Sequence, residues 1–437
     1  MLVFGIGVLI YIVLVLSGAS IAFSFMVSVL FMVLTLGYDP IFLLPYGFYQ
    51  MNCIVLLTIP FFIIAGALME KGGITRPIIN FVNSVVSKIR GGLGAAGIIT
   101  NVIFGAVSGS SAAAIACIGR ILIPHMVEEG YPRGYATALL TSAAGIANLI
   151  PPSILLILYG WLSFTSITTC FLAGIIPGLL ITLIFILINW VMVGGLPTVK
   201  KPRPWGSVKQ VGKEMVHTGW IAIPGLLMPV VILGSIYGGI ATPTEAAAIA
   251  VLYSIPVGFI IYRGLTPKSF ATSLLQASTV TGAIMVLLLF AMMIGRVFVM
   301  EQIPAQLTAF LLSISDNKYV ILLMVNVIVI IFGMLIDDIA CIIITVPLLY
   351  PIVVTGLGIS PVHFSVILTV NILAGCYTPP YAPMLYIGQI IGETTFAEMF
   401  KTNLLLVALA YLPVLMLVTY IPALSMWLPE LILGPGL

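Results

Sequence analysis

Apolar runs long enough to cross a bilayer recur along the whole chain. A spanning helix needs roughly 20 apolar residues. The pattern predicts spans at about residues 2–17, 20–37, 50–69, 134–160, 168–195, 218–238, 244–262, 270–299, 362–390 and 402–428. The predicted fold class is therefore an all-α polytopic membrane protein.

Two further apolar regions are interrupted by polar residues and predict re-entrant helical hairpins. In the first, residues 94–127, the interruption is Ser108-Gly109-Ser110-Ser111. In the second, residues 319–354, it is Asp337-Asp338. Glycine permits a tight turn, and serine or aspartate caps the helix that follows. Each interruption therefore predicts a polar tip where two helices meet.

The two halves of the chain repeat one another. A shift of about 228 residues aligns Ile150-Pro151-Pro152-Ser153 with Thr378-Pro379-Pro380-Tyr381. A shift of 227 residues aligns Ser111 with Asp338. Each half thus contains a polar-tipped hairpin followed by a helix that a Pro-Pro pair breaks. Five predicted spans separate the hairpins, and an odd number inverts the second unit, so we predict inverted structural repeats.

The two Pro-Pro pairs predict cation-binding breaks at membrane depth. Proline lacks an amide donor and disfavours helix for the residue before it. Unpaired backbone groups are costly in lipid, so such a break must face protein, water or a ligand. The freed carbonyls of residues 148–150 and 376–378 can bind a small hard cation, which prefers oxygen ligands. The alternative is that the proline pairs only kink their helices.

The two tips carry the polar chemistry of the chain. Serines at the first tip can cap a helix, and a helix N-terminus can also bind an ion. Asp337 and Asp338 can bind a cation or take up a proton, because charged residues deep in a membrane segment are usually functional. The alternative for this pair is a solvated N-cap. Thr242-Pro243-Thr244-Glu245 reads as a capping box with a structural role.

Composition agrees with a lipid solvent and excludes a soluble enzyme of ordinary type. Of 437 residues, 61% are hydrophobic and 7% are charged, whereas a soluble domain carries about 25% charged residues. The net charge of +3 offers no tract for nucleic acid. The first apolar run has no basic residue before it, so we interpret it as a retained membrane segment rather than a signal peptide. The five dispersed cysteines are interpreted as packing residues.

The basic residues fix a predicted orientation. With the N-terminus outside, 14 of the 16 Lys and Arg residues fall on the inside, and only Arg296 and Lys318 do not. This asymmetry follows the positive-inside rule. It places both termini on the periplasmic side and the Pro-rich, basic linker 196–217 on the cytoplasmic side.

Several motifs together carry a resemblance to a known family. The chain resembles, over essentially its whole length, the large membrane subunit (DctM or SiaM type) of the tripartite ATP-independent periplasmic (TRAP) transporters. The motifs are Ile59-Pro60-Phe61-Phe62, Ala65-Gly66, Leu68-Met69, Gly109-Ser110-Ser111-Ala112-Ala113, Ile123-Pro124, Ile150-Pro151-Pro152-Ser153-Ile154, Tyr159-Gly160 and Thr242-Pro243-Thr244-Glu245-Ala246-Ala247-Ala248. The chain departs from the family pattern at Ile146-Ala147-Asn148-Leu149, where many members carry glycine or proline.

The resemblance implies an elevator-type transporter in the bacterial inner membrane, driven by a sodium gradient. It implies a small four-helix membrane subunit (Q type) and a periplasmic substrate-binding protein (P type) as partners. The implied substrates are organic acids, chiefly sialic acids and C4-dicarboxylates. We expect transport units at 91–165 and 301–392, and scaffold helices at 1–90, 166–300 and 393–437.

The expected sites lie at the tips and breaks. One sodium ion is expected between the tip 108–111 and the break 148–151, and a second between Asp337-Asp338 and the break at Thr378-Pro379. The expected sodium ligands are Ser108, Gly109, Ser110, Ser111, Asn148, Ile150, Asp337, Asp338, Tyr377 and Thr378. The expected substrate contacts are Ser110, Asn148, Ser153, Thr378 and Tyr381. No organic cofactor is expected.

Three alternatives remain open from the sequence. The carrier could be coupled to protons or to another ion instead of sodium. An intramembrane aspartyl enzyme would need two carboxylates brought together from separate helices, whereas Asp337 and Asp338 are adjacent. A channel would need a continuous polar stripe, which the spans lack, and a passive membrane scaffold would not accumulate a solute against a gradient.

Overall fold

The structure is a computed structural model that describes residues 2–86, 88–200 and 208–434. Every regular element in these ranges is a helix. Within them, nine helices of at least 18 residues are long and apolar enough to cross a membrane. The predicted all-α polytopic class is confirmed. Part of the predicted linker 196–217, with Lys201 and Arg203, lies outside the described residues.

The N-terminal region consists of five helices. They are α1 (Leu2–Leu16), α2 (Ile21–Thr35), α3 (Leu43–Met51), α4 (Thr58–Lys71) and α5 (Thr75–Val86). Helix α5 was not predicted, because it is shorter than a span. Its buried positions Thr75, Ile78, Ile79 and Val82 recur at helical spacing, so one face packs inward. The helix is thus amphipathic rather than part of a basic loop.

The first repeat continues through a hairpin and a broken helix. Hairpin 1 comprises α6 (Gly92–Ser108), α7 (Ser111–Ala114), a π-helical turn (Ile115–Gly119) and α8 (Arg120–Glu128). The broken helix has α9 (Arg133–Ala144), a 3-10 turn (Gly145–Asn148) and α10 (Ile154–Ser163). We call residues 145–153 break 1. Helix α11 (Ile167–Gly194) follows.

Three long helices connect the two repeats. They are α12 (Val208–Tyr237), α13 (Pro243–Pro256) and α14 (Pro267–Met300). Helix α13 opens with the predicted capping box: Thr242 Oγ1 accepts from the Glu245 amide at 3.3 Å, and Glu245 Oε2 accepts from the Thr242 amide at 2.8 Å. The structural interpretation of Glu245 is confirmed.

The second repeat has the same order of elements as the first. It comprises α15 (Ile303–Ile314), hairpin 2 with α16 (Lys318–Leu335), α17 (Asp338–Tyr350) and a π-helical turn (Pro351–Gly356), and a broken helix with α18 (Pro361–Cys376) and α19 (Pro383–Gly392). We call residues 377–382 break 2. Then come α20 (Phe396–Leu406), a π-helical turn (Val407–Tyr411), α21 (Leu412–Tyr420) and α22 (Ala423–Leu433).

The prediction of one span over 402–428 is wrong in its bounds. The apolar helix covers Phe396–Tyr420, and α22 begins only at Ala423. Pro422 lies at the junction and removes an amide donor, while Ile421 leaves the helical region at φ −121° and ψ 86°. The apolar pattern continues across this break, which is why hydropathy alone missed it.

Matching glycine contacts support the repeat. A Cβ atom on Gly105 of α6 would lie 2.5 Å from the Cα of Ala147 in break 1. A Cβ atom on Gly333 of α16 would lie 3.0 Å from the Cα of Gly375 in α18. Both partners match under the shift of 228 residues found in the sequence. The helix of each hairpin that precedes the tip therefore crosses its broken helix at the same place, at nearly backbone-to-backbone distance.

Helices of each repeat also pack against helices of the other repeat. Helix α10 of the first repeat packs against α17 of hairpin 2, and α19 of the second repeat packs against the π-helical turn and α8 of hairpin 1. Likewise α11 packs against α18, and α20 packs against α9. Each broken helix therefore joins its own half to the opposite half, so the two tips meet in the interior.

Candidate functional site

The tip of hairpin 1 is a tight turn that docks on break 1. Gly109 adopts a left-handed conformation with φ 60°, and its amide donates to the carbonyl of Gly105 at 2.8 Å. A Cβ atom at Gly109 would lie 2.2 Å from the carbonyl oxygen of Pro152. Ser110 then accepts from the Ala113 amide at 3.5 Å and caps α7. Only glycine fits this turn, because both the backbone conformation and the adjacent carbonyl exclude a side chain.

Polar groups of break 1 form hydrogen bonds within the break and with the tip of hairpin 1. The Ser153 hydroxyl donates to the carbonyl of Asn148 and accepts from the Leu156 amide at 3.3 Å, so it caps α10. The Ile154 amide donates to the carbonyl of Gly109 at 3.3 Å, which ties the break to the hairpin tip. The peptide between Pro151 and Pro152 is cis, and both prolines are buried.

The tip of hairpin 2 differs in both conformation and charge. Ile336 has an extended backbone at φ −134° and donates its amide to Phe332 at 3.0 Å. Asp337 occupies the N-cap position of α17, but its side chain makes no capping hydrogen bond. Asp338 accepts from the Ile339 amide at 3.0 Å.

Asp338 reaches across to the first repeat. Its Oδ2 accepts from Asn148 Nδ2 at 2.5 Å and from the Ser111 hydroxyl at 3.3 Å. Asn148 completes the triangle: its Oδ1 accepts from the Ser111 amide at 3.0 Å, and its Nδ2 also donates to Ser111 Oγ at 3.2 Å. We call Ser111, Asn148 and Asp338 the tip cluster. Ser111 and Asp338 are repeat counterparts, so the axis that relates the two halves passes between them.

Break 2 is more open than break 1. The Thr378 hydroxyl donates to the carbonyl of Ala374 at 2.6 Å, and the Tyr381 amide donates to Met334 of hairpin 2 at 3.2 Å. The peptide between Pro379 and Pro380 is cis, and Pro380 is exposed. Ala382 adopts a left-handed conformation with φ 44° and gives α19 no side-chain cap.

The comparisons with known proteins decide the family. The chain matches the family described as "Tripartite ATP-independent periplasmic transporter, DctM component" over residues 8–424. The chain belongs to this DctM family. This confirms the resemblance drawn from the sequence motifs. It also sets aside the intramembrane enzyme, because the family is one of transporters.

Several relatives align with most of this DctM-family chain. The isethionate TRAP transporter permease protein DctMQ of Oleidesulfovibrio alaskensis is 35% identical over 94% of this chain, which spans 64% of that protein. The C4-dicarboxylate TRAP transporter large permease protein DctM of Pseudomonas aeruginosa is 37% identical over 86% of each chain. The sialic acid TRAP transporter large permease protein SiaM of Vibrio cholerae is 35% identical over 87% of each.

A solved structure shares the fold at low sequence identity. The YdaH transporter of Alcanivorax borkumensis, whose crystal structure is described as revealing an unusual topology, aligns with a TM-score of 0.58. It is 16% identical and covers 86% of each chain. The likeness supports the helical membrane architecture of the DctM-family chain.

The structure brings some of the sequence-predicted residues together and separates others. Ser111, Asn148 and Asp338 meet in the tip cluster, which joins a residue expected at the second site to residues expected at the first. Asp338 and Thr378, expected to share a sodium ion, bond to different partners. Ser108 and Ser153 are buried, while Ser110, Thr378 and Tyr381 are half-buried. The Ile150 amide donates to Ile146 at 3.0 Å.

Sequence reasoning missed a polar chain behind break 2. The carbonyl of Tyr377, predicted to face a cation, accepts from Asn403 Nδ2 at 2.6 Å. Asn403 Oδ1 accepts from Ser142 at 2.8 Å, and the carbonyl of Ser142 accepts from Tyr411 at 2.6 Å. The Tyr377 and Tyr411 rings stack at 5.8 Å. The available signal was the lone Asn403 in an apolar span, but its partners lie far away in sequence.

Proposed function

We propose that this chain is the large membrane subunit of a sodium-coupled carrier that imports an organic acid. The observation that carries the proposal is the tip cluster, where a carboxylate of one repeat meets an amide and a hydroxyl of the other. Asp338 is only 7% exposed. Among the described residues, the ion pairs join Lys71 to Glu70, Arg133 to Glu393 and Lys200 to Glu129, so none involves Asp337 or Asp338.

A buried carboxylate without a cationic side chain needs another positive partner. Burying an unpaired charge in a low-dielectric interior is costly, and intramembrane acids mark ion pathways. Sodium fits the available donors, because the Ser111 hydroxyl, the Asn148 amide oxygen and the Asp338 carboxylate are hard oxygen ligands. A proton on Asp338 is the alternative, and it corresponds to proton coupling.

The geometry modifies the expected distribution of ligands. Asp338 joins Ser111 and Asn148 at the first ion site, with Ser108, Gly109, Ser110 and Ile150 as backbone or side-chain neighbours. In this proposal Asp337 belongs to the second site, together with Tyr377 and Thr378. Ser110, Asn148, Ser153, Thr378 and Tyr381 remain the candidate solute contacts. Of these, the half-buried Ser110, Thr378 and Tyr381 are the ones that an entering solute can reach.

An elevator motion is the transport mechanism that we propose. The mobile part would be residues 91–165 and 301–392, which hold both hairpins and both breaks. The remaining segments, 1–90, 166–300 and 393–437, would form the scaffold. The crosswise packing of α10 on α17 and of α19 on hairpin 1 supports this division, because it binds the two transport units into one body.

The family and its relatives support the proposed solute class and partners. Relatives are named for isethionate, C4-dicarboxylates and sialic acid. All are organic acids, and half-buried hydroxyls suit their oxygens. A Q-type four-helix subunit and a P-type periplasmic binding protein would complete the system. The distribution of basic residues supports a bacterial inner-membrane location with both termini in the periplasm.

Uptake in proteoliposomes tests the proposal. The permease would be reconstituted with its small subunit and binding protein, and labelled succinate, N-acetylneuraminate and isethionate would be offered under separate sodium and proton gradients. We expect accumulation of one acid only under an inward sodium gradient. Accumulation that follows the proton gradient and ignores sodium would favour the proton-coupled alternative. No accumulation under any gradient would contradict coupled transport.

A further inference from the structure

A groove at one end of α11 lies outside both tips and both breaks. It has a volume of about 340 Å³ and lies between α11 and the turn that leads into α6, where Ile89 and Arg90 form its second wall. This volume is within the range of pockets that bind small molecules, about 300–1,000 Å³. The basic residues predict that this end of α11, which continues into the linker 196–217, is cytoplasmic. The groove is therefore a candidate site near the membrane surface.

The α11 wall of the groove is ordered along the helix axis. Ile186, Leu187 and Trp190 are spaced by three and four residues, so they share one face of the helix. Leu187 is 52% exposed and Trp190 is 56% exposed, so the groove opens outward along this face. Aliphatic side chains thus come first, and an aromatic side chain follows one turn nearer the end of the helix. Tryptophan is enriched where membrane meets water.

Arg90 places a cationic group at the outer end of the groove. Its Nη2 donates to the carbonyl of Gly194 at 2.5 Å, and a Cβ atom on Gly194 would lie 3.6 Å from the Arg90 Cζ. The guanidinium therefore lies over α11 one turn beyond Trp190. A guanidinium has five N–H donors, and the ion pairs among the described residues do not include Arg90. Donors thus remain for an anion.

The base of the groove is fixed by Asn189. Its Nδ2 donates to the carbonyl of Gly91 at 2.9 Å, and its Oδ1 accepts from the Tyr135 hydroxyl at 3.0 Å. Asn189 and Ala95, which also line the groove, are both buried. These bonds join α11 to the start of α6 and to α9. The shape of the groove is therefore set by the fold and does not depend on a ligand.

We propose that this groove binds one anionic phospholipid of the cytoplasmic leaflet. The phosphate accepts hydrogen bonds from Arg90, and the glycerol region contacts Trp190. An acyl chain lies along Ile186 and Leu187. The order aliphatic, aromatic, cationic along about 12 Å of helix, from Ile186 to Gly194, matches the order of chain, interface and headgroup in a lipid. Basic pockets between spanning helices on the cytoplasmic side suit anionic headgroups.

Other occupants use less of the groove. A helix with its side chains is about 10–12 Å wide, so a helix of another subunit does not fit inside a groove of this volume. A free phosphate would bind to Arg90 but would leave the apolar wall uncovered. A phospholipid uses both the guanidinium and the apolar wall. The inference is independent of the proposed function, because it concerns a site outside the tips and breaks.

Native mass spectrometry of the full chain, purified in detergent, tests the charged end of the groove. Phosphatidylglycerol is the probe, and phosphatidylcholine, which has a phosphate but no net charge, is the comparison lipid. Arg90→Gln removes the charge and keeps a donor for the carbonyl of Gly194. The matched control is Arg76→Gln, because Arg76 is an exposed arginine of α5 on the same predicted side but outside the groove.

We expect Arg90→Gln to weaken phosphatidylglycerol binding by about fivefold, as for loss of one basic side chain beside an anionic lipid. Phosphatidylcholine binding should weaken less. Arg76→Gln should bind both lipids as the native protein does. Thermal unfolding without added lipid should be the same in both variants. A purely structural role of Arg90 would lower its unfolding temperature and weaken both lipids equally, which would contradict the inference.

Trp190→Ala tests the apolar wall, with Trp220→Ala as the matched control. Trp220 is 75% exposed on α12, outside the groove. We expect Trp190→Ala to weaken the binding of both lipids by about threefold, because the lost contact is apolar. Trp220→Ala should leave both affinities unchanged. Equal affinities in the two tryptophan variants would overturn the assignment of the wall.

Three further outcomes would overturn the inference. The first is equal weakening in Arg90→Gln and Arg76→Gln, because the attraction would then not depend on the groove. The second is displacement of phosphatidylglycerol by an equal concentration of glycerol 3-phosphate, because a free anion would then be the occupant. The third is loss of the Arg90-dependent binding in a complex with the small membrane subunit, because that subunit would then cover the groove.

Discussion

The two hairpin tips occupy equivalent positions but are built in different ways. At hairpin 1, Gly109 turns in a left-handed conformation against the buried prolines of break 1. At hairpin 2, the equivalent residue is Ile336 in an ordinary extended conformation, followed by two acids. The first tip is closed by backbone contacts, whereas the second carries the charge. The difference suggests that the first half supports the site and the second half supplies its ionic chemistry.

The breaks extend the same contrast. Asn148 in break 1 provides an amide that reaches the opposite tip at 2.5 Å. Its counterpart under the 228-residue shift is Cys376, whose thiol donates to the carbonyl of Ile336 in the same repeat at 3.7 Å. Ser153 caps its helix, while Ala382 lies in the left-handed region without a cap. Of these two counterparts, only Asn148 of the first repeat donates a hydrogen bond to an acid of the other repeat.

The largest effect is expected from Gly109→Ala. The new methyl group would lie 2.2 Å from the carbonyl oxygen of Pro152, and the left-handed conformation adds a further penalty. Together these cost about 3–5 kcal/mol of folding stability. Thermal unfolding and membrane yield measure the loss. Ile336→Val at the equivalent position is the control and should cost about 0.5–1.5 kcal/mol; equal losses would remove the contrast between the tips.

A smaller effect is expected from alanine at the paired helix crossings. In Gly105→Ala the added Cβ would lie 2.5 Å from the Cα of Ala147, whereas in Gly333→Ala it would lie 3.0 Å from the Cα of Gly375. Overpacking should destabilise Gly105→Ala by about 1–3 kcal/mol. Gly333→Ala should lose less folding stability, because the neighbouring backbone has to move less and because alanine favours a helix more than glycine does. A larger loss of folding stability in Gly333→Ala than in Gly105→Ala would show that the helix crossing in the second half is the more closely packed one.

Asn148→Ala should cost about 1–3 kcal/mol, because it removes the amide donor to Asp338 and leaves the Ser111 amide without its buried acceptor. It should also weaken the dependence of uptake on sodium. The control is Asn101→Ala, which removes an amide that bonds only to carbonyls of Gly97 and Leu140 in the first half. Thermal unfolding and sodium titration of uptake measure the two effects. If both variants alter the sodium response equally, Asn148 has no special role.

The smallest effect is expected at break 2. Ala382→Gly should raise folding stability by about 1 kcal/mol, because glycine adopts the left-handed conformation without the penalty that alanine carries. Ser153→Gly at the N-cap of α10, the helix that follows break 1, should instead lower stability, because it removes the cap of α10. Thermal unfolding of the two variants should therefore shift in opposite directions. Shifts in the same direction would mean that the two breaks are alike.

Much of the architecture could be predicted from the sequence. The apolar periodicity predicted the class, and the Pro-Pro pairs and polar tips predicted the hairpins and breaks in register. Hydropathy could not predict α5 and α15, because these helices are too short to span. Hydropathy also predicted that the last span continues beyond Pro422, because the apolar run does not stop there.

The candidate site was predictable only within each repeat. The residues of the tip cluster were singled out because each is polar within an apolar region. That Asp338 would bond to Asn148, 190 residues away, depends on the crosswise packing of the repeats, which local patterns do not encode. The same holds for Asn403 behind break 2.

The dependence of uptake on sodium concentration in Asp338→Asn tests the central claim most directly. Asparagine keeps the size of the side chain and can still accept from Asn148, so the fold and membrane insertion should be retained. With the carboxylate removed, the sodium concentration for half-maximal uptake should rise at least about tenfold, corresponding to roughly 1.4 kcal/mol of lost cation binding. A variant that takes up the acid with an unchanged sodium response would contradict the account.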